Sequence, residues 1–143
     1  MADCVFCRIA SGALAGRRVY EDEQTIAFLD ASPVSPGHAL VIPKKHVVWY
    51  TDLQPADAGP FSKAVFLVAR KIKKALNAEY VSVLIRGTRV PHLHALLIPK
   101  LPGADNVFDK TLDLHHFVQA RLPAPAPAQL DEIAEKIRTA NPM

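Results

Sequence analysis

Two histidines one residue apart, His92 and His94, are the side chains whose type and spacing point most directly to chemistry. They stand in an apolar run that also contains Leu96, and side chains of a β-strand point alternately to its two faces. If residues 90–98 form a strand, all three side chains share one face. Neighbouring histidines on one face are typical of a metal site or of a nucleophile with its partner, and both interpretations stay open at this point.

A second pair, Cys4 and Cys7, forms a CxxC motif near the start of the chain. Two thiolates at this spacing bind one zinc ion when two further ligands come from elsewhere in the chain. The motif equally fits two unliganded thiols. A thioredoxin-like redox pair is a third interpretation, but that motif normally follows a strand, and no strand is predicted before Cys4.

The elements around these motifs predict a small α+β domain. Apolar runs bounded by turn residues predict five strands, at residues 17–21, 24–30, 38–43, 80–85 and 90–98. Strands joined by short turns pair in antiparallel fashion. Apolar residues recur at helical spacing from Pro55 to Asn77, which predicts a long helix that begins late, at Pro60, or has an irregular first turn.

The last part of the chain differs in character from the part before it. It contains the adjacent histidines His115 and His116, which are interpreted as surface residues, and a proline-alanine spacer at residues 123–127. An amphipathic helix is predicted after the spacer. We therefore expect residues 1–103 to form one domain and residues 104–143 to form a tail.

Composition and charge exclude several classes of protein. No apolar run approaches the roughly 20 residues that span a bilayer, and the N-terminus lacks the layout of a signal peptide, so a cytoplasmic protein without a membrane segment is expected. The formal net charge of +3 is mild. The densest basic run, residues 70–74, lies on the long helix and is interpreted as a solvated face. Nucleic acid is not expected as a partner, whereas nucleotides remain open.

Four separate motifs, taken in order and spacing, resemble the histidine triad (HIT) superfamily and, within it, the small bacterial Hint-like branch. They are Cys4-x-x-Cys7, Phe28-Leu29-Asp30 before a proline-containing loop, residues 38–46, and Val90-Pro91-His92-Leu93-His94. The resemblance covers about Cys4 to Lys100. It implies the HIT fold, a five-stranded antiparallel sheet with one long helix and a C-terminal helix. It also implies a twofold homodimer joined through the long helix and the sheet edge on the fifth-strand side.

The resemblance implies nucleotidyl chemistry. Proteins of this family bind purine nucleotides of the AMP or GMP type and hydrolyse or transfer phosphoramidates and related compounds through a nucleotidyl-histidine intermediate. The nucleophile is the middle histidine of an HxHxHxx motif, which corresponds to His94. The resemblance also places Asp30 on the ribose hydroxyls and Phe28 and Ile26 near the base. For Asp30, a role in starting a turn is an equally good interpretation.

The resemblance further implies a structural zinc ion. Hint-like members with an N-terminal CxxC complete the site with a histidine after a lysine pair and with the histidine that opens the triad. The corresponding residues here are His46 and His92, which together with Cys4 and Cys7 make a Cys2His2 set.

This sequence departs from the family pattern at the third triad position, which is Leu96. Leucine cannot donate a hydrogen bond to a phosphate or leaving group, and loss of one such donor typically costs about 10²–10³ in rate. The loop before the motif is also short. Arg89 in that loop is a candidate phosphate contact, with an exposed turn arginine as the alternative. Two hypotheses follow: a HIT hydrolase or transferase, or a nucleotide-binding protein whose catalysis is weakened or lost.

Overall fold

The structure, a computed structural model, describes residues 4–104, 117 and 125–141. Contacts between Cα atoms divide the chain into two compact units, Met1–Phe108 and Asp109–Met143. The boundary expected after residue 103 stays a prediction. The pair His115 and His116, and the start of the proline-alanine spacer, lie outside the described residues.

The first unit contains a single five-stranded sheet with helices on both sides. Its elements are α1 (Val5–Ala10), β1 (Arg18–Glu21), β2 (Thr25–Leu29), β3 (Ala39–Pro43), a 3₁₀ turn (Tyr50–Asp52), α2 (Pro55–Leu76), β4 (Tyr80–Arg86) and β5 (His94–Lys100). The strand order is β1-β2-β3-β5-β4, and every neighbouring pair is antiparallel. The predicted α+β fold is confirmed, with β5 inside the sheet and β4 at one edge.

Helix α2 covers one face of the sheet. Its apolar stripe is buried against the sheet: Phe61, Ala64, Val65, Val68 and Ile72. The expected late start at Pro60 is wrong, because α2 begins at Pro55 and Pro60 lies inside it. Proline fits the first position of a helix, and Pro60 removes only one hydrogen bond near the helix start.

Helix α1 covers the opposite face and was not predicted from the sequence. It is six residues long, and Phe6 and Ile9 are its buried side chains. They join a second apolar cluster with residues of the sheet that include Phe28, Leu40 and Leu96. A helix this short is not stable alone, since isolated helices need roughly 12–15 residues, so packing against the sheet stabilises it.

Strand β5 begins at His94, so the prediction that it begins at Val90 is wrong. Pro91 has no N–H to donate to a neighbouring strand. The next two amides bond elsewhere: His92 N donates to Val90 O at 2.7 Å, and Leu93 N donates to Val47 O at 2.6 Å. His92 therefore lies in a bend before the strand, and His94 is the first residue of β5.

The second unit contains helix α3 (Pro127–Thr139), which confirms the predicted C-terminal helix. Its apolar residues Leu130, Ile133 and Ile137 are exposed. Among the described residues, no helix is both long and apolar enough to cross a membrane.

Candidate functional site

Three separate parts of the first unit bring two thiols and two imidazoles together. Cys4 directly precedes α1 and Cys7 lies within it, His46 follows β3, and His92 lies in the bend before β5. The Sγ atoms of the cysteines and one ring nitrogen of each histidine lie within 4.8 Å of one another. These four residues are close enough to bind one metal ion.

The distances fit a tetrahedral site. Cys7 Sγ lies 3.2 Å from His46 Nδ1 and 3.5 Å from His92 Nδ1, and Cys4 Sγ lies 3.5 Å from His92 Nδ1. Zinc bonds of about 2.3 Å to sulfur and about 2.0–2.1 Å to nitrogen separate such ligand atoms by roughly 3.5 Å in a tetrahedron. The donor set therefore fits zinc in both type and spacing.

A hydrogen bond from one ring nitrogen of His92 determines that the other ring nitrogen faces the thiols. His92 Nε2 donates a hydrogen bond to Pro43 O at 2.8 Å, so Nδ1 keeps its lone pair and points to the cysteines. A metal-bound histidine usually donates its other ring N–H to a carbonyl or carboxylate in this way. Burial lowers the pKa of His92, which favours the neutral form that a metal needs.

The Cys7 thiol does not have the electrostatics of a reactive redox cysteine. Burial raises the pKa of the Cys7 thiol, and the neighbouring Cys4 raises it further. Reactive redox cysteines instead have a lowered pKa, which comes from a nearby cation or the start of a long helix. Of the interpretations of the CxxC motif, this arrangement favours a metal site.

His94 is held by the backbone of the histidine beside it. His94 Nδ1 donates a hydrogen bond to His92 O at 2.7 Å, which leaves Nε2 with its lone pair. The side chain is 4% exposed, and its ring lies edge-on to the Phe6 ring at a centroid distance of 5.3 Å. Nδ1 thus orients the ring, and the lone pair of Nε2 is available to act as a nucleophile.

Several groups act on the pKa of His94. Burial is the largest influence and lowers the pKa; Arg86 lowers it further, while the hydrogen bond to His92 O and the charge of Asp30 raise it. The net shift is downward, so the ring is neutral at physiological pH. A neutral imidazole is the form that acts as a nucleophile.

A cavity of about 350 Å³ lies on the α1 side of the sheet. Its lining is largely apolar and includes Phe6 and Ile9 of α1 and Phe28 of β2, while Arg17 and Asp30 are its charged residues. Phe6 connects the cavity with His94, since its ring contacts the imidazole. An apolar pocket with few polar groups is the usual form of a small-ligand site.

The side chain of Asp30, directly after β2, forms two interactions. Its Oδ1 accepts a hydrogen bond from Ser32 N at 2.7 Å, which makes an Asx turn, and its Oδ2 lies 4.0 Å from His38 Nδ1. The turn interpretation is therefore realised in the structure. Because Asp30 also lines the cavity, its carboxylate remains near any ligand bound there.

The structure brings Phe28 and Asp30 to the cavity but not every candidate. Ile26 is fully buried in the second apolar cluster and is not a lining residue. Arg89 is exposed in the turn before β5, with a φ of 67°. Leu96 is 6% exposed and faces Leu40 across the β3–β5 ladder, where it packs as a core residue.

Two kinds of site residue were missed in the sequence. The first is the apolar pair Phe6 and Ile9, whose spacing of three residues around Cys7 is the signal for a helical face. The second is Arg86, which lies opposite His94 in the β4–β5 ladder. That register became visible only once the start of β5 was known.

Gly87 lets the segment after β4 pass close to another part of the backbone. A Cβ atom at Gly87 would overlap Val48 O, whereas one at Gly59 in α2 would meet nothing within 4 Å. We expect Gly87→Ala to lower the free energy of unfolding by roughly 1–3 kcal/mol through overpacking. Gly59→Ala is the matched control and is expected to raise it by roughly 0.5–1 kcal/mol. Urea denaturation of both variants checks this, and a Gly87→Ala protein as stable as the parent contradicts the close approach.

Comparison with known proteins gives consistent matches. Residues 12–103 match the sequence profile of the HIT domain family. An uncharacterized HIT-like protein of Methanocaldococcus jannaschii is 34% identical over 108 residues, covering 73% of this chain and 84% of that protein. Adenosine 5'-monophosphoramidase HNT1 of Saccharomyces cerevisiae is 32% identical over 139 residues, covering 85% of this chain and 84% of the yeast protein.

A solved structure agrees with these matches. The crystal structure of a zinc-bound histidine triad family protein from Mycobacterium smegmatis superimposes with a TM-score of 0.69 at 34% identity. The superposition covers 75% of this chain and 81% of that chain. Sequence profile, relatives and fold together show that this chain belongs to the HIT domain family.

Proposed function

We propose that the protein is a purine nucleotide hydrolase or transferase that acts on nucleoside phosphoramidates and related nucleotidyl substrates. One observation carries this proposal. The hydrogen bond from His94 Nδ1 to His92 O leaves a buried, neutral imidazole with a free lone pair on Nε2. The yeast relative is an adenosine 5'-monophosphoramidase by name, which supports the same reaction class.

In the proposed reaction, His94 Nε2 attacks the α-phosphorus of the substrate. A bond forms between Nε2 and phosphorus while the bond from phosphorus to the leaving nitrogen breaks, and that nitrogen leaves as an amine after taking a proton. Water then attacks the phosphorus, the bond to Nε2 breaks, and the nucleoside monophosphate is released with His94 regenerated. The hydrogen bond to His92 O stabilises the positive charge that the ring carries while it is phosphorylated.

The cavity between α1 and the sheet is the proposed nucleoside site. Phe6, Ile9 and Phe28 supply an apolar surface for the base, and Asp30 supplies an acceptor for the ribose hydroxyls. The volume of about 350 Å³ lies at the lower end of the range for small-ligand pockets. We expect AMP or GMP to bind here with the phosphate directed to His94.

The role of Asp30 in binding can be separated from its role in the turn. Asp30→Asn keeps an oxygen that can accept from Ser32 N but removes the negative charge. Charge-assisted hydrogen bonds are about twice as strong as neutral ones, so we expect AMP to bind roughly tenfold more weakly. Isothermal titration calorimetry measures this, with Asp52→Ala as a control outside the cavity. Unchanged affinity in Asp30→Asn would assign Asp30 to the turn alone.

We propose that Cys4, Cys7, His46 and His92 hold one structural zinc ion. Zinc bound by four protein side chains has no open position for substrate, so it contributes stability and orientation. The site links α1, the segment after β3 and the bend before His94. Cys4 and Cys7 form no disulfide, which agrees with the reducing cytoplasm that we propose as the protein's location.

We also propose a twofold homodimer. The edge strand β4 carries exposed apolar residues, namely Val83, Leu84 and Ile85, and Phe66 of α2 is 58% exposed. An exposed apolar edge strand is a site where another chain adds to the sheet. Sedimentation equilibrium checks the dimer, which Leu84→Lys is expected to dissociate.

Hydrolysis of adenosine 5'-phosphoramidate tests the proposed function. We expect release of AMP, and acid quenching during turnover is expected to trap a nucleotidyl group on His94 that mass spectrometry locates. The second candidate is a nucleotide-binding protein without catalysis, which the apolar packing of Leu96 favours. AMP binding with no cleavage above background would establish that candidate in place of the enzyme.

A further inference from the structure

The proposed reaction places negative charge beside His94, and the side chains around it offer little to receive that charge. Leu96, two residues along the strand, is an apolar core residue with no donor. Phe6, whose ring forms a T-shaped pair with the imidazole, has no donor either. A phosphoryl group in this position gains most from a cation with several donors.

Arg86 is the cation nearest to this position in the register of the sheet. It is the last residue of β4 and lies directly opposite His94. Side chains of directly opposite residues point to the same face, with Cβ atoms about 4.5–5.5 Å apart. Arg86 and His94 therefore stand side by side on the α1 side of the sheet.

The electrostatics of two histidines agree with this placement. Burial lowers the pKa of His94 and of His38, and Arg86 lowers both further. The guanidinium thus acts on both rings. The negative charge of Asp30 raises the pKa of the same two histidines, so Asp30 and Arg86 both lie close enough to influence these rings.

None of the described residues accepts a hydrogen bond from the buried Nε of Arg86, and none forms one with His38 Nε2, which is also buried. None of the described carboxylates forms an ion pair with Arg86. A buried guanidinium donor without a protein acceptor is costly, and this cost is removed when an anion binds.

We propose that Arg86 binds the α-phosphate of the substrate and donates hydrogen bonds to its non-bridging oxygens, in place of the donor that Leu96 cannot supply. The inference rests on the proposed function, since it deepens the assignment of the same site. A guanidinium is suited to this role because its planar fork binds two oxygens of one phosphate.

Arg89 is the rival candidate, and the structure distinguishes the two arginines. Arg89 is exposed in the turn, outside the ladder, whereas Arg86 is partly buried opposite the imidazole. A phosphate bound to His94 therefore lies nearer to the side chain of Arg86.

The test compares the variants Arg86→Gln, Arg86→Lys and Arg89→Gln, with Arg70→Gln of α2 as the matched control. We expect Arg86→Gln to lower kcat/KM for adenosine 5'-phosphoramidate about 10²-fold. AMP should bind about 10- to 100-fold more weakly to this variant, while adenosine, which has no phosphate, should bind with unchanged affinity. Arg86→Lys keeps the charge without the fork and should fall between the parent and Arg86→Gln. Arg70→Gln should match the parent.

Each outcome has one meaning. If the parent neither binds AMP nor cleaves the phosphoramidate, the proposed function fails and takes the inference with it. If the parent is active and Arg86→Gln is unchanged, or if Arg89→Gln carries the loss, the role of Arg86 is overturned while the function stands. Equal loss of AMP and adenosine binding also overturns it, because that result indicates a structural role. If Arg86→Gln does not fold, Arg86→Lys decides by the same AMP and adenosine comparison.

Discussion

Replacing His94 by alanine is expected to abolish turnover while leaving the fold intact. Removing a nucleophile that forms a covalent intermediate costs roughly 10⁴–10⁶ in rate, and nothing else among the described residues offers a neutral imidazole in the same position. The adenosine site should survive, since His94 is not among the residues that line the cavity. The expected result is therefore a protein that binds adenosine and does not turn over.

The measurement is single-turnover hydrolysis of adenosine 5'-phosphoramidate, with adenosine affinity measured in parallel. His94→Gln is the second variant, because it fills more of the buried space and keeps polar atoms without a nucleophilic nitrogen. Cleavage that persists at the parental rate in both variants would show that another residue attacks the phosphorus. A circular dichroism spectrum identical to that of the parent rules out unfolding as the cause of the loss.

Removing the proposed zinc ion is expected to give the second large effect, which is a loss of stability. Free metal at 1,000 times its Kd stabilises a protein by about 4 kcal/mol, so a metal-free preparation should unfold at a correspondingly lower urea concentration. Metal analysis of the purified protein should give one zinc per chain. Cys7→Ser should lose the zinc and show the same loss of stability without a chelator.

Ala10→Ser is the matched control for the cysteine variant, because it introduces the same side chain on the same short helix outside the ligand set. It should retain zinc and nearly the parental stability. A metal-free parent whose two thiols react freely with a thiol reagent, and whose stability is unchanged by chelators, would contradict the zinc site. That result would instead return the CxxC motif to the two interpretations that involve free thiols.

Much of the fold follows from sequence because the pattern is regular. The long helix and the strands have clear apolar periods, and the order of the motifs identifies the family. The features that the sequence did not predict depend on contacts between residues that are distant along the chain. In α1 the apolar spacing of Phe6 and Ile9 covers a single turn, which is too short to predict a helix by itself, and the helix is stable because these two residues pack on the sheet. Likewise, β5 begins four residues later than predicted, because Pro91 has no N–H to donate and the amides of His92 and Leu93 donate outside the sheet ladder.

The candidate site divides in the same way. The structure brings the four residues of the Cys2His2 set within reach of one metal ion, as the family resemblance implies. The role proposed for Arg86 could not be predicted from the sequence, because it depends on the register between β4 and β5. A strand paired one residue differently would turn its side chain to the α2 side of the sheet. Sequence inspection instead drew attention to Arg89, which lies nearer to the motif along the chain.

The hydrogen bond that orients His94 affects which substitutions this protein can tolerate during evolution. Its acceptor is the main-chain oxygen of residue 92, and every amino acid carries that oxygen. In the proposed zinc site, position 92 contributes its side chain, whereas its backbone oxygen orients His94. A substitution of His92 that removes the proposed metal ligand therefore leaves in place the acceptor that sets the tautomer of His94.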